Sequence, residues 1–205
     1  MTDTKQKILD VSLELFSQKG FSAVSIRDIC RQVEIKESSV YYHFQNKQAI
    51  FDELLCQFQR TAEWMMSQLE SALSEKPDIS DNHFYTGVCD CFFENYLMDD
   101  FCNKVMRLLQ IEQLNNEEIQ KIYDRFLFHE PLQFQMKIFK TLMDGGVLKN
   151  MDCGYMAMKY YSPIFLLAQR WLLSGALSEE NKNAFRAAAY QHVKLFFQET
   201  GVAAE

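Results

Sequence analysis

Few residues in this chain have the types and spacing that chemistry on a bound molecule demands. His129-Glu130 gives half of a helical zinc motif, but Pro131 follows and no second histidine stands at the required spacing. Asp99-Asp100 pairs two carboxylates with no third acid three residues beyond Asp100, which leaves a magnesium site short of ligands and makes helix capping the better use. The cysteines at 30, 56, 89, 91, 102 and 153 follow no metal-finger spacing. The closest pair, Cys89 and Cys91, would fall about 200° apart on a helix. No glycine loop cradles a phosphate, and no serine sits in a nucleophile turn. No catalysis, cofactor or metal is therefore expected. What remains is a chemistry of contact. The run Glu37-Ser38-Ser39-Val40-Tyr41-Tyr42-His43-Phe44 sets hydroxyls, phenols and an imidazole side by side. Such groups hydrogen bond to phosphates and base edges, and tyrosine rings pack on thymine methyls.

Helices must position that run. The first is expected from Thr4 to Lys19, with Ile8, Leu9, Val11, Leu13, Leu15 and Phe16 as its apolar face and Gly20 in the left-handed position after it. Ser25 followed by Asp28 reads as a capping box with Asp in place of Glu, opening a short second helix to Val33. After Glu34-Ile35-Lys36 a third short helix covers Glu37 to His43, and Asn46 caps a long fourth. Two short helices joined by a three-residue turn are a helix-turn-helix, whose second helix enters the DNA major groove. Val40 and Phe44 would then face the core. Ser38, Ser39, Tyr41, Tyr42 and His43 would face DNA, with Ser25, Arg27, Lys36 and Lys47 supplying further contacts. Beyond a loop at 76–83, helices are expected near 82–98, 101–114, 117–145, 152–175 and 179–199, with Pro131 and Pro163 kinking two of them.

Composition agrees with an all-α fold. Three prolines and seven glycines in 205 residues leave little material for a strand-and-turn architecture. No apolar run is long enough to span a bilayer and no signal-type segment follows the polar start, so the expected location is cytoplasmic, away from membranes. The net charge of −7 argues against a nucleic-acid partner until it is divided. The first fifty residues carry seven cations against six acids, and the remainder holds a net −8, so an acidic body stays off DNA while the head approaches it.

At Ile8-Leu9-Asp10, Leu15-Phe16, Lys19-Gly20-Phe21, Ser25-Ile26-Arg27-Asp28-Ile29, Ser39-Val40-Tyr41-Tyr42-His43-Phe44 and Asn46-Lys47 the sequence closely resembles the N-terminal domain of the TetR family of bacterial repressors. It departs from that pattern at Glu34, where glycine is usual, at Lys36, where serine or threonine is usual, and at Glu37 and Ser38, where lysine and glycine are usual. Glu34 should therefore adopt a left-handed conformation at a cost of about 1 kcal/mol. Lys36 cannot supply the usual N-cap, and Glu37 suits the helix dipole while repelling phosphate.

The resemblance implies a three-helix helix-turn-helix domain at 1–47 and a larger helical effector-binding and dimerisation domain at 48–205. It implies a transcriptional repressor that binds a palindromic double-stranded DNA operator as a homodimer through its last two helices and is released by a small molecule. In the last helix Phe185, Ala188, Ala189, His192, Val193 and Phe196 form an apolar stripe for that pairing, with Met156, Tyr160, Phe165, Ala168 and Trp171 as the other half. The body is rich in aromatic and methionine side chains, which suit the walls of an apolar pocket. By position and residue type, Trp64, Phe92, Phe93, Tyr96, Met106, Phe126, Phe134, Tyr161 and Phe165 are the expected lining for an apolar or aromatic effector.

Overall fold

The computed structural model describes residues 2–74, 87 and 89–202. The chain gathers into two compact units, one of Met1–Thr61 with Asp100–Asp124 and one of Ala62–Asp99 with Arg125–Glu205. Among the described residues every named element is helical, and the one strand-like pairing is an antiparallel bridge between Leu148 and Gly201. The loop expected at 76–83 and the start of the helix expected at 82–98 lie outside the described residues.

In the first unit α1 runs over Thr2–Lys19, two residues earlier than its apolar pattern requires, and buries Ile8, Leu9, Leu13 and Phe16. Gly20 follows with φ 85°, and its amide donates to the Phe16 carbonyl at 2.9 Å. α2 spans Ile26–Val33 and both arms of its capping box form: Asp28 N–H donates to Ser25 Oγ at 3.2 Å and Ser25 N–H to Asp28 Oδ2 at 3.0 Å. Aspartate is one methylene shorter than the usual glutamate and still reaches. Glu34 closes α2 at φ 64°, ψ 44°, the left-handed conformation expected of it. α3 covers Glu37–His43, and α4 covers Lys47–Ser74 with Asn46 Oδ1 accepting from Ala49 N–H at 2.9 Å.

The unit is completed by α5, Asp100–Glu112, and α6, Glu117–Asp124. Asp100 is the first residue of α5, and it shares the Lys104 ammonium with Glu14 of α1, at 2.7 and 2.8 Å. At the other end of α5, Glu112 is 2% exposed. Its Oε1 accepts from the Ser22 N–H at 2.7 Å and its Oε2 from the Ser22 hydroxyl at 2.8 Å. A Cβ on Gly20 would stand 2.4 Å from the same carboxylate, so glycine is required there for space as well as for its positive φ.

The second unit holds α7, Glu130–Asp144, α8, Cys153–Ala168, and α9, Glu179–Thr200. Three wide π turns, Asp90–Leu97, Arg125–His129 and Gln169–Leu173, interrupt what periodicity presents as uninterrupted helix. Pro131 sits in the first turn of α7, where a missing N–H is tolerated. It has no donor for the Leu127 carbonyl four residues back, and the buried Tyr161 hydroxyl donates to that oxygen at 2.8 Å. Phe139, Tyr160 and Phe196 pack ring to ring at 5.1–5.4 Å and join α7, α8 and α9. Arg186 of α9 grips Glu94 with Nε and Nη2 at 2.6 and 2.8 Å, which holds the Glu94 carboxyl below its usual range.

Two stability effects follow. Glu34→Gly should raise the free energy of unfolding by about 0.5–1 kcal/mol in urea titrations, while Glu34→Ala, which keeps a Cβ at the same φ, should give no such gain. Tyr161→Phe should cost about 1–2 kcal/mol in the same measurement, because it strips the partner from a buried carbonyl.

Candidate nucleic-acid interface

α2, a turn through Glu34 and Ile35, and α3 form the helix-turn-helix. The Ile35 N–H donates to the Cys30 carbonyl at 3.0 Å, so α2 ends sharply enough for α3 to turn away. No side chain caps α3, as Lys36 requires. Val40 and Phe44 are buried, 0% and 5% exposed, and fix which face of α3 is presented. Opposite them Tyr42 is 75% and Tyr41 51% exposed, with Ser38 exposed and Ser39 and His43 half-buried. The Tyr42 and His43 rings meet edge to face at 5.0 Å. Ser38, Ser39, Tyr42 and His43 line one hollow of about 340 Å³, which the first turn of α1 also lines through Thr4.

Of the remaining residues expected at the interface, Ser25, Arg27 and Lys47 already have partners. Ser25 donates its hydroxyl to Asp28 Oδ2 at 2.6 Å, and these bonds hold the Asp28 carboxyl below its usual range. Lys36 is exposed. Lys47 bonds through its ammonium to the carbonyls of Phe21 and Val24, each at 2.7 Å, and stands 4.2 Å above the Phe21 ring. Burial pulls its pKa down, and the Glu112 carboxylate works against that pull. Two of its three donors therefore fasten the turn between α1 and α2. Arg27 is engaged too: its Nε lies 3.0 Å from Glu37 Oε1. The acid expected to repel phosphate is thus partly neutralised, and the arginine expected to bind phosphate is partly occupied. Ten residues separate the two, so helical periodicity on either helix gives no sign of the pair.

The residues expected to line an effector site fall into separate groups. Phe92 and Tyr96 stack at 5.9 Å with Phe93 beside them, and Phe93 also packs on Phe185 and Tyr190 of α9. Tyr161 and Phe165 lie 6.1 Å apart, with Phe128, which the sequence reading did not select, 4.9 Å from Phe165. Phe126 is buried beneath the Arg125 guanidinium, 4.2 Å from its ring centroid. Phe134 is half-buried on α7, and Trp64 on α4 is 51% exposed. Met106 is buried in α5 and belongs to the first unit, whereas the other eight belong to the second. Among the described residues no group of three His, Cys, Asp or Glu could hold a metal.

The Arg27–Glu37 pair makes a prediction for duplex DNA. Glu37→Gln should release the guanidinium, strengthen binding to a mixed-sequence duplex several-fold and steepen the salt dependence by about one counterion per head, read from fluorescence anisotropy across a salt series.

Residues 8–54 match the profile of the family described as bacterial regulatory proteins, tetR family. The biofilm operon icaADBC HTH-type negative transcriptional regulator IcaR of Staphylococcus aureus is 25% identical over 214 residues, covering 95% of this chain and 99% of the relative. Among solved structures, a TetR-family transcriptional regulator from Mesorhizobium loti superposes with a TM-score of 0.72 at 18% identity, covering 98% of each chain. SmeT, the repressor of the Stenotrophomonas maltophilia multidrug efflux pump SmeDEF, superposes with a TM-score of 0.65 at 15% identity, covering 98% of this chain and 91% of the other. The relatives are regulators and the helix-turn-helix presents an exposed recognition face, so the chain is a DNA-binding transcriptional regulator and not an enzyme, with a head over residues 8–54 that matches the tetR family.

Proposed function

We propose that this protein is a transcriptional repressor that binds a palindromic operator as a homodimer and is released when a small apolar or aromatic effector binds its body. The observation that carries the reading is the face of α3, where Ser38, Tyr41 and Tyr42 stand exposed around a buried Val40 and Phe44. Functionally, 1–47 serves as the DNA-binding part and 48–205 as the effector and dimerisation part, in the cytoplasm. Negative regulation is supported by the similarity to IcaR and SmeT, both described as acting against transcription.

Pairing of two copies is supported by an apolar row on the last two long helices. The stripe expected to make that contact is largely consumed within the subunit: Phe185, Ala189, Val193 and Phe196, with Met156, Tyr160 and Ala168, are buried. A helix buried against its own neighbours spends its most apolar face there. A second row remains. Tyr155, Met158 and Leu166 follow one face of α8 and are 53–68% exposed, and Leu195 of α9 is 55% exposed. A second copy seated on this row would give two recognition helices, which a palindrome requires about 34 Å apart.

For the effector, the stacked Phe92 and Tyr96 and the Tyr161–Phe165–Phe128 group offer aromatic walls with a phenol at hand. Release requires that the effector bind one conformer more tightly than the DNA-bound one.

Selection from randomised duplexes should return a palindrome with half-sites one helical turn or more apart. Tyr42→Ala should weaken that binding with little change in melting temperature, and Leu166→Glu with Leu195→Glu should yield monomers with greatly reduced operator affinity. Apolar ligands that bind the purified dimer yet leave operator affinity unchanged would rule out this route of induction.

A further inference from the structure

We propose that Thr4, in the first turn of α1, is a DNA-backbone contact that seats one phosphate together with hydroxyls of the recognition helix. The inference rests on the DNA-binding reading and adds to the helix-turn-helix a contact from a third helix.

The hollow lined by Thr4, Ser38, Ser39, Tyr42 and His43 brings together four hydroxyls and an imidazole, with no carboxylate among its described lining residues. Among the described residues the side-chain hydroxyls of Thr4, Ser38, Ser39 and Tyr42 have no hydrogen-bond partner within the protein. Unpartnered donors converging on a concave surface suit an acceptor with several oxygens and no donors of its own. The phosphodiester of a nucleic-acid backbone is such a group, and an exposed α3 puts it within reach. Thr4 also lies in the first turn of an eighteen-residue helix, whose free amides carry partial positive charge and favour an anion at that end.

A second hollow that shares Tyr42 and His43 suits phosphate less well. It contains the Glu53 carboxylate, and Glu53 already lies 3.6 Å from the Lys5 ammonium. A phosphate entering there would meet a carboxylate and compete for a lysine in use. Among the described residues lining the Thr4 hollow it meets neither.

A backbone contact is independent of sequence, so a mixed-sequence duplex of about thirty base pairs is a sufficient probe, followed by anisotropy across a salt series. Thr4→Ala should weaken binding by about fivefold per engaged head at every salt concentration, the worth of one hydrogen bond, with the salt slope unchanged. Thr4→Ser should retain the affinity. Thr4→Lys should strengthen binding and steepen the slope by about one per head, because a cation placed at that spot releases a counterion. Circular-dichroism melting of each variant checks that α1 is intact. Wild-type affinity and slope in both Thr4→Ala and Thr4→Lys, alongside a clear loss in Tyr42→Ala, would overturn the Thr4 assignment and leave the DNA-binding reading standing. Absence of duplex binding by the unaltered protein at low salt would overturn both.

Discussion

The geometry of the DNA-binding head depends on how one buried carboxylate is satisfied. Glu112 lies at the end of α5 with almost no exposure, and its oxygens are held by the amide and hydroxyl of Ser22. A buried carboxylate without such donors would be costly, so the turn after α1 has little freedom to shift while α5 stays in place. From another direction Lys47, opening α4, takes the carbonyls of Phe21 and Val24. The five residues between Gly20 and Val24 are therefore gripped by an acid and a base on different helices. Ser25 comes next in the chain as the cap of α2, so the direction of α2, and through Glu34 that of α3, is set from this turn. Gly20 has no alternative under these conditions. As a folded object the head includes Asp100–Asp124, which lies far from it in sequence.

Local physics was legible in the sequence, and long-range pairing was not. The capping box at Ser25 and Asp28 and the inward Val40 and Phe44 follow from rules that act over four residues or fewer, while the left-handed Glu34 and the uncapped start of α3 were implied by where the sequence departs from the family it resembles. The partners of Glu112, Lys47 and Arg27 follow from how helices dock, and nothing within four residues of any of them signals it. The same limit explains the apolar row. Tyr155, Met158 and Leu166 share a helix with Met156, Tyr160 and Ala168, and an all-round apolar helix does not announce which side its own chain will cover.

The π turns were missed for a related reason: an inserted residue per turn leaves the composition of a helix unchanged. All three lie in the second unit. Within the wide turn at Asp90–Leu97, Phe92, Phe93 and Tyr96 form one aromatic group. At Arg125–His129 the wide turn meets Pro131, and the Leu127 carbonyl is taken by a tyrosine from another helix. The body's polar bonds are thus tied to its aromatic groups. A molecule wedged among those rings would disturb backbone pairing as well as packing.

The Arg27–Glu37 pair bears on how long the protein stays at the wrong place. With one arginine answered by an acid and Lys47 turned inward, the face of α3 offers DNA mostly neutral hydroxyl donors, beside the exposed Lys36. Neutral contacts release few counterions, so such a face would hold random sequence less tightly than one lined with free cations. The share left unbound is larger, and each encounter is decided by fit at the groove more than by charge.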